Sequence, residues 1–486
     1  MTHNKEPFFS ALFTDFYSLT MAQGYWKSKM NRRVVFEMFF RRQPFDGGFS
    51  VFAGLGPLAN QLLDHGFSAD DLTYLEGLGI FEDGFLEYLK NFRFKGTVWA
   101  FDEGTIIFPN EPVIRIEGSL IECQIIEGML LNTINFQSLI ATKTARIWLA
   151  SGRGSVIELG LRRAQGKDGA VSAARAAYIG GAEGTSNVQA GKIFGIPVIG
   201  TMAHSWIMAF ENEEEAFNAY ADIFPDNSIF LIDTYDTLKS GIQNAVKAGK
   251  KLATKGKKIG VRLDSGDIHY LSMEVRSILD ANGLKDAAIS ASNDLDEYII
   301  ETLKNSGAPI DIWGAGTRMI TGGNEASFSG VYKMAARENR NGVLEAVMKF
   351  SDNPEKTTNP GTKQVYRIRD EKGMCIADVI VLDDDENRER IEKGNTYSFW
   401  HPSADYRNIT HNVTGNAEPL QKKIMENGRM IIDYPSLSVI RSNMRKDLDA
   451  FDQSYKRLLN PHIYKISISE RLRTLKLELI KNHFGL

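Results

Sequence analysis

From Val156 onward, short β-branched or apolar runs recur at intervals of roughly 20 to 30 residues, each followed by a polar loop and a stretch with helical spacing. The runs are Val156-Ile157-Glu158-Leu159, Val198-Ile199-Gly200-Thr201, Ile229-Phe230-Leu231-Ile232, Ile259-Gly260-Val261-Arg262-Leu263, Ala288-Ile289-Ser290-Ala291 and Ile310-Asp311-Ile312-Trp313. Such alternation predicts a parallel sheet, either doubly wound or closed as a barrel. Unusual residues gather at the carboxyl ends of the runs: Arg162 and Arg163, His204, Asp233 and Asp236, Asp264 and Asp267, Asn293 and Asp294, and Gly314 to Thr317. Both architectures place a ligand site at that edge of the sheet.

The flanks follow other rhythms. Before about residue 150, Val34-Val35-Phe36-Glu37-Met38-Phe39-Phe40 and Gly96-Thr97-Val98-Trp99-Ala100-Phe101 read as strands. Residues 125 to 150 place Ile126, Leu130, Ile134, Leu139 and Ile140 near helical spacing without a proline, which predicts a long, mostly buried helix. Beyond about 335 the βα alternation stops. Residues 343 to 382 alternate like strands around a loop at Asn353 to Thr362, and Asp383 to Lys393 reads as a solvated charge run. An amphipathic helix near Ser467 to Asn482 closes the chain, with Ser469 and Glu470 as its start. Three segments result: a mixed α/β domain with the long helix over 1–150, an α/β core carrying the site over 151–340, and a strand-rich segment with closing helices over 341–486.

Composition narrows the class. With 486 residues, 43% of them apolar, the chain can bury two or three cores. A net charge of −4 with both signs interspersed argues against nucleic acid or an anionic membrane as the main partner, so an anionic ligand must meet a local cationic pocket. Cys123 and Cys375 stand far apart with no metal-binding or redox spacing. The first twenty residues lack the basic and apolar regions of an export signal, and no run approaches the roughly 20 apolar residues that span a bilayer, so a cytoplasmic location is expected.

Three segments carry candidate chemistry. Ile310-Asp311-Ile312-Trp313-Gly314-Ala315-Gly316-Thr317-Arg318 runs a strand into a glycine-rich turn. It suits either a phosphate cradle, because backbone amides can approach an anion closely there, or a plain strand-to-helix turn. Val261-Arg262-Leu263-Asp264-Ser265-Gly266-Asp267 places Arg262 and Asp264 on one face by the two-residue period of a strand, either as a structural ion pair or as a mouth for hydroxyls, phosphates and Mg2+. His204 follows a strand end, where an acid such as Asp233 can hold one ring nitrogen and leave the other free. These residues define an α/β enzyme with a cationic, glycine-lined site for a phosphorylated small molecule.

Six segments then carry a resemblance: Thr14-Asp15-Phe16-Tyr17-Ser18-Leu19-Thr20-Met21, Asn135-Phe136-Gln137-Ser138-Leu139-Ile140-Ala141-Thr142-Lys143, Glu158-Leu159-Gly160-Leu161-Arg162-Arg163-Ala164-Gln165-Gly166, Gly200-Thr201-Met202-Ala203-His204-Ser205, Arg262-Leu263-Asp264-Ser265-Gly266-Asp267 and Asn359-Pro360-Gly361-Thr362-Lys363-Gln364-Val365-Tyr366-Arg367. In this order they resemble the nicotinate phosphoribosyltransferase family, one of the type II phosphoribosyltransferases. The resemblance implies an irregular, TIM-like α/β barrel with a flanking mixed α/β N-terminal domain and a C-terminal extension. It implies a homodimer with sites between subunits, Mg2+, and ATP as co-substrate.

Carried over by position, the candidate catalytic residues are His204, Asp233, Arg262 and Asp264. The candidate substrate-binding residues are Tyr17, Arg162, Arg163, Thr185, Ser186, Asn293, Gly314, Gly316 and Thr317. His204 matches the histidine that ATP phosphorylates in the family, Arg262 and Asp264 would hold the phosphoribosyl group, the Gly314–Thr317 turn its 5-phosphate, and Tyr17 of a partner subunit would enclose the pyridine ring. No metal ligand is assigned. Related nicotinamide enzymes carry an Asp in a Gly-Thr-Asp segment, whereas Gly184-Thr185-Ser186 stands here and would not repel a carboxylate. The rivals are a nicotinamide enzyme, a quinolinate enzyme and a silent homologue that only binds phosphoribosyl compounds.

Overall fold

The computed structural model describes residues 10–351, 356–386, 388, 391, 393, 396–402, 408–412 and 417–485. One compact unit takes in the chain up to Ser138 together with Ser327 onward, and the other is Leu139–Ala326.

The second unit is built on six parallel strands in the spatial order Gly184–Thr185, Ser155–Glu158, Ile312–Ala315, Ala288–Asn293, Ile259–Leu263 and Ser228–Leu231. The sheet curls in the manner of part of a barrel, with Thr185 also bridging Val198 beyond its short edge strand. Val156, Phe230, Val261, Leu263, Ile289, Ala291 and Trp313 are buried, which is why these segments read as continuous apolar runs. Helices Lys167–Ile179, Glu213–Ile223, Ile242–Ala253, Ile268–Ala281 and Glu297–Asn305 connect the strands. The run at Val198-Ile199-Gly200-Thr201 is a correction: Pro197 and Gly200 interrupt it, and it contributes a single bridge rather than a strand. The strand Gly184–Thr185 has no apolar signal and was not expected.

The first unit joins both ends of the chain. Its seven-stranded antiparallel sheet runs Leu344–Ala346, Gly330–Glu338, Arg33–Phe40, Ile114–Ser119, Thr97–Ala100, Lys422–Glu426, Arg429–Met430. Phe36 stacks on Tyr332 across it at 4.8 Å. A second sheet, of six strands, holds Lys363–Arg369, Cys375–Leu382 and Ile466–Ile468 beside one another or nearly so. The outer two of the segments 1–150, 151–340 and 341–486 share this unit because their strands pair. The long helix is Glu127–Ala150, with Ile126, Leu130, Ile134, Leu139 and Ile140 all buried. The closing helix is Glu470–Phe484, capped by Ser469, whose hydroxyl accepts from the Leu472 amide at 3.3 Å; Ser467 belongs to the preceding strand. Parts of the loop at 353–362 and of the charge run at 383–393, like residues 1–9, lie outside the described residues. No described helix is long and apolar enough to cross a membrane.

Candidate active site

Arg262 is the hub of the carboxyl edge of the parallel sheet. Strand alternation buries Val261 and Leu263 and turns Arg262 to the other side, where its side chain keeps 17% exposure. Its Nε donates to Ser292 Oγ at 3.0 Å, one terminal nitrogen to Thr201 Oγ1 at 3.0 Å and to the Met202 carbonyl at 3.2 Å, and the other to Asp264 Oδ1 at 3.4 Å. A planar guanidinium can serve these directions together, and an ammonium cannot.

Ser292 Oγ also donates to Asp264 Oδ1. Burial alone would raise the Asp264 carboxyl, but the Ser292 hydrogen bond and the Arg262 guanidinium outweigh it and hold the group below the usual carboxylate range. Asp264 therefore stands as an anion at neutral pH. Asp233 braces the same strand end: its Oδ2 accepts from the Asp264 amide at 2.9 Å and the Ser265 hydroxyl at 2.6 Å. Its Oδ1 is buried without a hydrogen-bond partner, a state that a ligand hydroxyl or a hydrated cation would relieve.

His204 is the first residue of the helix His204–Met208. Its Nδ1 lies 3.0 Å from Thr234 Oγ1, and its Nε2 lies 3.7 Å from Asp264 Oδ2. The Thr234 hydroxyl can give or take this hydrogen bond, so either tautomer satisfies Nδ1, and Nε2 is left on the side of Asp264. The expected partner Asp233 does not touch the ring; Thr234, its neighbour, does.

The glycine-rich turn packs tightly against this cluster. A side chain at Gly314 would meet Leu159 Cδ1 at 2.6 Å and Ser292 Cβ at 3.2 Å, and one at Gly316 would meet the Leu159 carbonyl at 3.3 Å. The chain turns there into the short helix Thr317–Ile320, whose first amides are orphan donors by position. Just beyond the adjoining strand Ser155–Glu158, Arg162 and Arg163 occupy the single turn Leu161–Arg163, exposed and without an ion pair among the described residues.

Thr185 is fully buried, its hydroxyl donating to Glu158 Oε2 at 2.5 Å, so it faces the protein rather than a ligand; Ser186 beside it is half-buried. Tyr17 lies in the other unit, on the helix Phe16–Lys27, half-exposed with its hydroxyl donating to Glu127 at 3.2 Å. Two carboxylates expected in the mouth act as helix caps instead. Asp267 accepts from the Tyr270 amide at 3.0 Å, and Asp236 from the Leu238 and Lys239 amides at 3.2 and 2.9 Å. Sequence reasoning missed Ser292, Thr201, Thr234 and Glu158; only the period-two placement of Ser290 and Ser292 on one strand offered a signal.

Asn293, at the end of its strand, has φ of 128°, and its side chain accepts from the Asp294 amide at 2.8 Å. A backbone held there stores about 1–3 kcal/mol of strain and marks sites where geometry matters more than stability. Asn293→Gly should raise the unfolding free energy in urea by about 1 kcal/mol while lowering activity, since the strained strand end loses its side chain. A variant less stable than the parent would contradict the strain argument.

The fold and this cluster define an α/β architecture whose strand ends bring a guanidinium, carboxylates, an imidazole and a glycine turn together. Family models place it further: the nicotinate phosphoribosyltransferase N-terminal domain matches residues 12–135, the nicotinate phosphoribosyltransferase family residues 155–372 and the corresponding C-terminal domain residues 362–476. The nicotinate phosphoribosyltransferase of Bacillus subtilis is 42% identical over 97% of this chain and 95% of its own. The human nicotinate phosphoribosyltransferase is 31% identical over 96% of this chain and 95% of its own. A crystal structure of human nicotinic acid phosphoribosyltransferase superposes with a TM-score of 0.84 at 28% identity, covering 96% of this chain and 99% of that one. The chain belongs to the nicotinate phosphoribosyltransferase family.

Proposed function

We propose that this chain transfers the phosphoribosyl group of phosphoribosyl pyrophosphate to nicotinate, giving nicotinate mononucleotide and pyrophosphate, the first step of NAD salvage from nicotinate. The observation that carries the reading is the Arg262 hub, which ties Ser292, Thr201 and Asp264 together at the strand ends of a chain that belongs to this family along nearly its whole length. The nicotinate ring nitrogen attacks C1 of the ribose as pyrophosphate leaves. Positive charge grows on the sugar and negative charge on the leaving group, with no covalent ribosyl-enzyme.

The ionised Asp264 suits the first charge, and Arg262 with the amides of the Gly314–Thr317 turn suits phosphate oxygens. Arg162 and Arg163 supply cations for the nicotinate carboxylate, and Ser186 presents no charge against it. Among the described residues no group of three or more His, Cys, Asp or Glu side chains is placed to hold a metal. Mg2+, which takes oxygen donors and keeps several waters, would be held by the Asp233 and Asp264 carboxylates, where it would supply positive charge to neutralise the leaving group.

ATP serves as co-substrate: His204 Nε2 attacks the γ-phosphorus, ADP leaves, and hydrolysis of the phosphohistidine is coupled to tighter substrate binding and higher yield. Tyr17 acts at the partner's site in a homodimer. The setting is the cytoplasm, in keeping with two free, buried cysteines.

The test follows nicotinate mononucleotide and ADP from phosphoribosyl pyrophosphate and Mg2+, with nicotinate or nicotinamide as base, with and without ATP. Nicotinate is expected to be the base used, faster with ATP and with ADP released. His204→Ala should lose ADP release and keep a slower, ATP-independent transfer; undiminished ATP hydrolysis in that variant would overturn the histidine's role. No product with either base would favour a silent homologue.

A further inference from the structure

Glu158 ends the strand Ser155–Glu158 with a side chain that is 1% exposed and meets no cation among the described residues. Burial pushes its carboxyl above the usual range, only partly offset by the Thr185 hydroxyl and the Gly160 amide. An unpaired buried carboxyl is costly, and the neighbouring Val156 and Ile157 show that apolar side chains fit this strand. Something other than stability accounts for it.

Its two oxygens answer that by reaching different segments. Oε1 accepts from the Gly160 amide, which opens the turn bearing Arg162 and Arg163, and the Arg163 amide donates back to the Gly160 carbonyl at 2.8 Å. Oε2 accepts from the Thr185 hydroxyl at 2.5 Å on the neighbouring strand, where Thr185 and Glu158 are partners in the parallel register. That hydroxyl accepts in turn from the Asn187 amide at 2.9 Å, and the Ser186 amide donates to the Glu158 carbonyl at 2.9 Å. Gly160 has no room to drift: a side chain there would meet Ile320 Cβ at 2.7 Å and Glu158 Oε1 at 3.0 Å.

We propose that Glu158 is a positioning residue for base recognition, clamping the Arg162–Arg163 turn and the Thr185–Ser186 segment into one fixed arrangement around the nicotinate carboxylate. The proposal rests on the reading of nicotinate as the substrate base. Glu158 itself touches no ligand. Its side-chain hydrogen bonds reach only the two arms that meet the base, and the Arg262, Asp264 and Ser292 cluster that meets the phosphoribosyl group is bonded independently of it.

The experiment measures KM for nicotinate, KM for phosphoribosyl pyrophosphate and kcat in Glu158→Leu, Glu158→Gln and Thr185→Val, with melting temperature alongside. In Glu158→Leu the nicotinate KM is expected to rise about 10- to 100-fold, the scale of one lost charge-assisted hydrogen bond, while the phosphoribosyl pyrophosphate KM moves less than about twofold. Glu158→Gln should recover much of this, since its amide can accept from Gly160 and donate to Thr185. Thr185→Val, nearly isosteric and less disruptive to folding, should raise the nicotinate KM on its own, and combining it with Glu158→Leu should add little, as residues of one network do.

Equal rises in both KM values, or additive effects of the two sites, would show a merely structural role and overturn the proposal. Turnover of nicotinate by the parent protein is the control. If the parent uses nicotinamide instead, the substrate reading fails separately, and the same KM split measured with that base still decides the role of Glu158.

Discussion

Arg262→Met is expected to lower kcat/KM for phosphoribosyl pyrophosphate by about 10²–10³-fold, the usual scale for removing one preorganised electrostatic group from an active site. Three consequences act together. The cation facing the phosphoribosyl group is lost. Ser292, Thr201 and the Met202 carbonyl lose the group that holds them in register. Asp264 loses an attraction that keeps it ionised in a partly buried place, so its pKa should rise, and the acid limb of the rate profile should move to higher pH. Arg262→Lys should recover little, about tenfold at most, because a point charge cannot address Ser292, Thr201 and Asp264 at once. Steady-state kinetics across pH check all of this; a lysine variant within twofold of the parent would refute the hub argument.

The largest loss of stability is expected at Arg367. This side chain is fully buried in the unit that joins the two ends of the chain. Its Nη2 lies 2.7 Å from Asp378 and 2.7 Å from the Ile106 carbonyl, and its Nη1 lies 2.9 Å from Asp447. Tyr464 donates to Asp378 at 3.0 Å, and Glu111 nearby is pushed well above the usual carboxylate range by burial and by Asp378. Replacing Arg367 by Met strands the buried Asp378 without its cation, while Asp447 keeps Arg369 at 3.2 Å. Breaking a buried pair in this way costs about 3–5 kcal/mol, a large share of the ~5–15 kcal/mol that holds a typical protein folded. Urea denaturation followed by tryptophan fluorescence should show the drop, and Arg367→Met with Asp378→Asn should recover part of it, since the amide leaves no charge stranded. An unchanged midpoint in the single variant would mean that water reaches the cluster.

Much of this architecture was legible in the chain because parallel strands, buried on both faces, leave unbroken apolar runs. Ile259–Leu263 appeared with the bounds it has, and Ser155–Glu158 and Ser228–Leu231 lay one residue away from the runs that announced them. The Arg262 and Asp264 pair was legible for a related reason: two residues apart on a strand means one face. What failed was information that does not reside in local pattern. Gly184–Thr185 is too short to show a period. Hydroxyls such as Thr201, Thr234 and Ser292 are common everywhere, and only the fold brings them to a guanidinium or an imidazole. Asp236 and Asp267 looked like ligands because a carboxylate after a strand also stands before a helix, and capping satisfies its oxygens first. That the two outer segments share one unit was not legible, because register between distant strands, such as Val34 with Arg337, has no local signature.

That last pairing bears on how the chain is made. In the seven-stranded sheet the partner of Phe40 is Gly330, and that of Ala100 is Lys422. At ~5–20 residues per second a ribosome delivers Gly330 on the order of 15–60 s after Phe40. The parallel-sheet unit, Leu139–Ala326, is contiguous and can fold as soon as it emerges. The first 138 residues must wait with strand edges and aromatic surface unpaired. Nascent chains stalled near residue 330 should therefore be the species most dependent on chaperones, and the apolar strand Arg33–Phe40 the place where misassembly begins.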